Sequence, residues 1–210
     1  MKILLVNGSP HEKGCTYTAL KEVADTLDNQ QIETEIMWLG TKPIAGCMGC
    51  GSCLKTGKCC INDKVNEFLE KVPLTDGFVF GSPVHFAAIS GMLSSFLDRA
   101  FYGRRQLFSN KLGAGVVSCR RGGATASFDE INKYFGMNNM PIITSQYWNM
   151  VHGTNPEEVK RDEEGMQTMR TLANNMAWLL QCIEAGRKIG VNVPENEKVI
   201  ATNFIPKTNL

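Results

Sequence analysis

The chain has no charge bias: 22 Lys and Arg stand against 21 Asp and Glu, a formal net charge of +1. Without an excess of either sign there is no electrostatic footprint for nucleic acid or for an anionic membrane. No apolar run approaches the length of a bilayer-spanning helix. The opening MKILLVNGSP carries one lysine and an apolar run that stops at Gly8-Ser9-Pro10. It is too short for a signal-peptide core and reads as a buried first strand. Internal repeats and low-complexity segments are absent. So are G-x-G-x-x-G and G-x-x-x-x-G-K-[ST], which counts against a dinucleotide Rossmann site and against a P-loop. No nucleophile–base dyad of convincing spacing is present.

What is abundant is cysteine, in one place. Of eight cysteines, five fall between Ala45 and Ile61, in AGCMGCGSCLKTGKCCI. Cys47, Cys50, Cys53 and Cys59 follow C-x2-C-x2-C-x5-C, with Cys60 directly behind. Glycines between them let the backbone curl so that the thiolates face one centre. Such a loop suits an iron–sulfur cluster or a soft metal ion. Structural zinc, a reversible disulfide and idle thiols are the alternatives. Zinc sites usually set two C-x2-C pairs far apart, whereas three ligands at successive x2 spacings are more typical of a cluster. Clustered thiols also point to the cytoplasm, where they stay reduced.

Strand-like and helix-period segments alternate along the chain. Strands are expected at 3–6, 32–39, 77–81, 113–118 and 142–145. Helices are expected at 16–27, from an Asn62/Asp63 cap through Val72, at 91–101, near 127–135 and at 163–189. This alternation predicts an α/β fold, a doubly wound parallel sheet of five strands in the flavodoxin order. Residues 1–190 form one domain with the cysteine loop, 45–62, inserted after strand two. Residues 191–210 lack helical period and read as an arm on the surface or on a neighbouring subunit. Cys182 is expected in the core, and Cys119 as a buried small residue.

Three loops project from the carboxyl edge of such a sheet and converge at its switch point. The first, Asn7 to Thr16, leads into a helix whose unpaired N–H groups suit an anion, with Ser9 and Thr16 as hydroxyl donors. The alternative is a polar turn capped by Thr16. The second is Gly81-Ser82-Pro83-Val84-His85-Phe86, and the third is Ser118-Cys119-Arg120-Arg121-Gly122-Gly123. Together these two suit a flat heteroaromatic ring. His85 is a candidate to bond that ring or shuttle a proton. Arg120 and Arg121 suit a negative ring or a phosphate, or are plain surface residues. Gln146, Tyr147, Trp148, Asn149 and His152 follow the fifth strand, where their loop would wall the substrate cleft; Tyr147 and Trp148 equally suit interface anchors.

NGSP…GCT after strand one, GSPVHFAAISGMLSSFLDR after strand three and the compact cysteine motif resemble the NAD(P)H-dependent FMN reductase superfamily. Within it, the chain is most similar to the iron–sulfur flavoproteins. The resemblance covers about residues 1–120 by motif, with Cys15 and His85 standing where relatives often have Asn and Tyr. It implies FMN, with the phosphate near Ser9, His11, Gly14, Cys15 and Thr16. The ring would lie against Pro83, Val84, His85 and Phe86 and against Ser118, Arg120, Gly122 and Gly123. It implies a 4Fe-4S cluster on Cys47, Cys50, Cys53 and Cys59, and a homodimer or homotetramer. The expected function is an FMN-dependent oxidoreductase. Electrons would pass from NAD(P)H, or from ferredoxin by way of the cluster, to a small acceptor such as a quinone, oxygen species, azo or nitro compound. The alternatives are a non-catalytic electron carrier between proteins and a cluster-free NAD(P)H:FMN reductase.

Overall fold

Ile3 to Val6 are fully buried in strand β1 (Lys2–Asn7), because the strand is covered on both faces. The computed structural model describes residues 1–195 together with 197, 198, 200, 202 and 204. β1 pairs in parallel with β2 (Glu33–Trp38) on one side and with β3 (Gly77–His85) on the other. β3 pairs with β5 (Leu112–Cys119), and β5 with β6 (Met150–His152), again in parallel. The order β2-β1-β3-β5-β6 is the flavodoxin order. A two-residue strand, β4 (Ala88–Ile89), folds back antiparallel onto the end of β3.

Helices α1 (Cys15–Asp28) and α7 (Glu163–Lys188) cover one face of the sheet. Helices α3 (Lys64–Lys71), α4 (Gly91–Gly103) and α5 (Ala124–Met137) cover the other. On this second face Phe68 sits at the centre of an aromatic cluster, with ring centroids 5.1 Å from Phe96 and 5.6 Å from Phe78. Each such ring contributes about 1.5–3 kcal/mol on burial. Two short helices, α2 (Ser52–Thr56) in the cysteine loop and α6 (Pro156–Arg161) before α7, complete the elements.

Three expectations are corrected. Residues 142–145 are not the fifth strand: Ile142 makes a single bridge to Gly113 and the chain then leaves the sheet. It returns as β6, where Val117 donates to the Asn149 carbonyl at 3.0 Å. The third strand runs on past Gly81 through His85. Cys182 is exposed, because it lies off the stripe of α7 that runs through Leu180 to the half-buried Ile183. The arm expected from Val191 onward falls partly outside the described residues; Val191 to Glu195 have no regular structure and are exposed.

Candidate functional site

The loop from Asn7 to Thr16 is held from within. The buried Asn7 side chain accepts from the Ser9 amide at 3.0 Å and donates to the Glu12 carbonyl at 3.0 Å. The Ser9 hydroxyl accepts from the His11 amide, and the Trp38 indole donates to the Ser9 carbonyl at 2.8 Å. Gly8 allows a close approach: a Cβ there would meet Leu93 Cβ at 2.8 Å. Helix α1 begins after Gly14 with no side-chain cap, so its first amides face the loop unpaired. A turn capped by Thr16 is therefore excluded, since the Thr16 hydroxyl instead meets that of Ser118 at 2.8 Å. That arrangement fits a phosphate: a closed loop, an uncapped helix N-terminus and hydroxyls on its rim.

The other two loops reach the same edge. Pro83 stands opposite Ser118 in the β3–β5 register. The β3–β4 hairpin turns through Phe86 and Ala87, both at positive φ (52° and 60°), and Phe86 is fully exposed. Gly123, at φ 82°, packs so closely against this hairpin that a Cβ would meet Ala87 Cα at 2.8 Å and Val84 at 3.1 Å. Helix α5 starts directly after Gly123, also without a side-chain cap. Cys15 reaches across to the Gly153 carbonyl at 3.7 Å, and burial pushes its thiol pKa up. His11, His85, Arg120 and Arg121 are exposed beside these loops. Cys119 is buried at the end of β5, and burial raises its pKa as well. Ser9, Thr16, Pro83, Val84, Ser118 and Gly123 are thus brought together, with the basic side chains at the rim.

The cysteine loop rises beside the second helical layer. Gly49, Gly51 and Gly57 all take positive φ, which supplies the curl. Cys47, Cys50, Cys53, Cys59 and Cys60 line one small cavity, closed by Arg99 and Tyr102. The Cys53 side chain lies so tightly on Gly103 that a Cβ there would overlap it. Cys59 is anchored twice through its backbone: its amide donates to Asn66 Oδ1 at 2.9 Å, and its carbonyl accepts from Asn66 Nδ2 at 3.0 Å. Asp63 caps α3 by accepting from the Val65 amide. The sulfurs of Cys50 and Cys60 are 3.5 Å apart. The Ser52 amide, and then Cys60, hold the Cys50 thiol below its ordinary pKa, while Cys50 raises that of Cys60. Among the described residues, no three His, Cys, Asp or Glu side chains stand close enough to hold a single metal ion. The four thiols at cluster spacing are thus brought to one cavity, and it is this donor set that fits an iron–sulfur group.

A model of the NADPH-dependent FMN reductase family matches residues 1–155. The chain belongs to that family. An iron–sulfur flavoprotein of Methanocaldococcus jannaschii is 32% identical to this FMN reductase family member over 192 residues, 88% of this chain and 100% of its own. Another, from Archaeoglobus fulgidus, is 30% identical over 191 residues, 84% of this chain and 94% of its own. Among solved structures, RosB with bound 8-demethyl-8-formylriboflavin-5'-phosphate superposes with a TM-score of 0.66 at 15% identity, covering 100% of this chain and 93% of that one, a likeness of fold. Membership places the chain among flavin oxidoreductases, and among the described residues no helix is long and apolar enough to cross a membrane.

Two features of this reductase lie beyond its motifs: the burial of Asn149 and the partners of Arg99. Asn149 is fully buried with neither side-chain atom hydrogen-bonded; its neighbours Tyr147 and Trp148, by contrast, are exposed. Arg99, on α4, is buried and directed at the cysteine loop. Its signal in the sequence is the Asp98-Arg99 pair in a largely apolar helix; Asp98 accepts from Tyr134, which leaves the buried Arg99 to find other acceptors. A groove of about 740 Å³ between α4 and α5 is lined by none of the expected flavin residues.

Proposed function

We propose that this protein is an FMN-dependent oxidoreductase of the iron–sulfur flavoprotein kind, taking electrons from NAD(P)H or a ferredoxin and delivering them to a small acceptor such as a quinone, oxygen species, azo or nitro compound. The observation that carries this reading is the convergence of three loops on one sheet edge, joined by the Thr16–Ser118 contact and the Gly123–Val84 packing. FMN, when bound, supplies hydride and single-electron transfer. The chain's own part is to hold it. Ser9, His11, Gly14, Cys15 and Thr16, with the free amides of α1, take the phosphate. Pro83, Val84, His85 and Phe86 offer one wall for the ring; Ser118, Arg120, Gly122 and Gly123 offer the other. Exposed Arg120 favours negative charge at the ring edge. No acid–base residue is assigned, and His85 is a candidate proton donor only by position.

Cys47, Cys50, Cys53 and Cys59 would hold a 4Fe-4S cluster. The support is the cavity shared by the four thiols and the relatives' names. A cytoplasmic homodimer or homotetramer completes the proposal. The exposure of Cys47 and Cys50 favours a second reading, in which the protein hands electrons to another protein without turnover of its own. The deciding experiment is iron and acid-labile sulfide per FMN in protein purified without oxygen, followed by turnover with NAD(P)H and a quinone. About four irons and four sulfides per flavin, with rapid turnover, is the expected result. Flavin without iron would remove the cluster and leave a simple FMN reductase. A full cluster with negligible turnover would select the carrier.

A further inference from the structure

We infer that Arg99 is a positioning residue that raises the reduction potential of the centre in the cysteine loop, through two N–H···S hydrogen bonds to Cys59. The inference rests on the proposal that this loop holds a 4Fe-4S cluster. The Arg99 side chain is 1% exposed. Its Nε and Nη2 donate to Cys59 Sγ at 3.3 and 3.1 Å. Nη1 and Nη2 also grip the Asp63 carboxylate, at 2.6 and 2.9 Å, and the carbonyls of Ala45 and Ile61 accept at 3.3 and 3.0 Å. Every N–H of the guanidinium therefore has an acceptor, and its planar fork is locked in place.

The geometry exceeds what holding the loop requires. A buried ion pair is not a cheap fastening, since apolar residues of similar volume commonly serve as well. Asp63 already neutralises the guanidinium, yet the Nε edge is spent on sulfur. Reduction adds negative charge to a cluster and to its thiolate ligands. Donors fixed on one of those sulfurs favour the reduced state and so raise the potential. Because Asp63 cancels the charge at a distance, the influence falls on the bonded sulfur. Cys60, next in sequence, is exposed and receives no bond from Arg99, so the same contacts distinguish Cys59 from its neighbour.

The test compares wild type with Arg99→Lys and with the double variant Arg99→Gln/Asp63→Asn, which leaves no unpaired carboxylate and keeps an oxygen to cap α3. Each is purified without oxygen. Iron, sulfide, FMN and far-ultraviolet circular dichroism are measured, and the midpoint potential is titrated with electron paramagnetic resonance detection. The double variant is expected to keep iron, flavin and secondary structure while its one-electron equilibrium shifts against reduction at least tenfold, about 59 mV lower. Arg99→Lys, with its charge and fewer directed donors, is expected in between. An unchanged midpoint with full iron would overturn the inference and leave the cluster standing. Iron lost from both variants with flavin retained would likewise overturn it, making Arg99 a fastening only. Wild-type protein with flavin and no iron would remove the cluster, and the inference with it.

Discussion

Thr16 Oγ1 and Ser118 Oγ stand 2.8 Å apart although 102 residues separate them in the chain. Both are buried, one at the start of α1 and the other at the end of β5. The pair ties the proposed phosphate loop to the proposed ring-binding loop, so each hydroxyl positions the other. Thr16→Val leaves the Ser118 hydroxyl buried without its partner, at a cost of about 1–3 kcal/mol. FMN affinity in fluorescence titration should fall about tenfold or more, while Thr16→Ser should stay near wild type. Equal affinity in all three proteins would disconnect this pair from the flavin.

Gly123 has no room for a side chain and no conformational licence for one. At φ 82° with Ala87 Cα in the way, Gly123→Val should destabilise the fold by about 1–3 kcal/mol. Thermal unfolding should show this as a fall of roughly 2–12 °C. The flavin should also dissociate more readily, since the hairpin from Val84 to Ala87 has to move. A variant as stable as wild type would contradict the close packing of these two loops.

Gly103 offers a separate handle on the cysteine loop. A methyl there displaces Cys53 but touches none of the three loops at the sheet edge. Gly103→Ala should therefore lower the iron bound per flavin and leave flavin content unchanged. Iron and FMN assays on the same preparation check this directly. A parallel loss of both would mean that the helix, rather than the loop, had failed.

The Cys50 and Cys60 thiols titrate in opposite directions. The Ser52 amide stabilises the Cys50 thiolate, so its pKa is lowered; that thiolate in turn opposes ionisation of Cys60, so its pKa is raised. A lowered thiol pKa gives more thiolate at a given pH, and thiolate is the form that reacts. In metal-free reduced protein, the alkylation rate of Cys50 should rise at lower pH than that of Cys60. Peptide mapping after iodoacetamide pulses across pH 6 to 10 reads both sites, at about one unit either side of the ordinary cysteine value and beyond. Coincident profiles would sink the assignment.

Much of this architecture can be read from the chain. Buried parallel strands write themselves as unbroken apolar runs, which is why Ile3 to Val6 and the Gly113 to Ser118 segment are legible. The cap at Asp63 and the curl of the cysteine loop are legible for similarly local reasons. The β3–β4 hairpin is not. Its turn uses Phe86 and Ala87 in a conformation that glycine or asparagine usually signals, so no Asn-Gly or Asp-Gly marks it. The fifth strand misleads because Ile142 and Ile143 have the right composition but bridge only once. Burial of Ile143 against α7 does not need a strand, and the pairing goes to the less conspicuous Met150–His152. Cys182 misleads because it follows Leu180 by two residues, about 200° around the helix, and so faces away from the stripe that continues to Ile183. Arg99 depends on partners 36 and 40 residues away, and no local pattern announces them.

No residue from Thr41 to Asp63 is buried. The cysteine segment therefore adds no buried residue to either hydrophobic core, touching it only through the half-buried Ile44, and is fastened by Arg99, Arg104 and Asn66. Such a segment can be gained, lost or exchanged without renegotiating the sheet beneath it. The proposed cluster site is in this sense an accessory clipped to a complete flavodoxin-like fold. Grafting the segment onto a family member that lacks it becomes a matter of three clasping side chains and one missing methyl at Gly103.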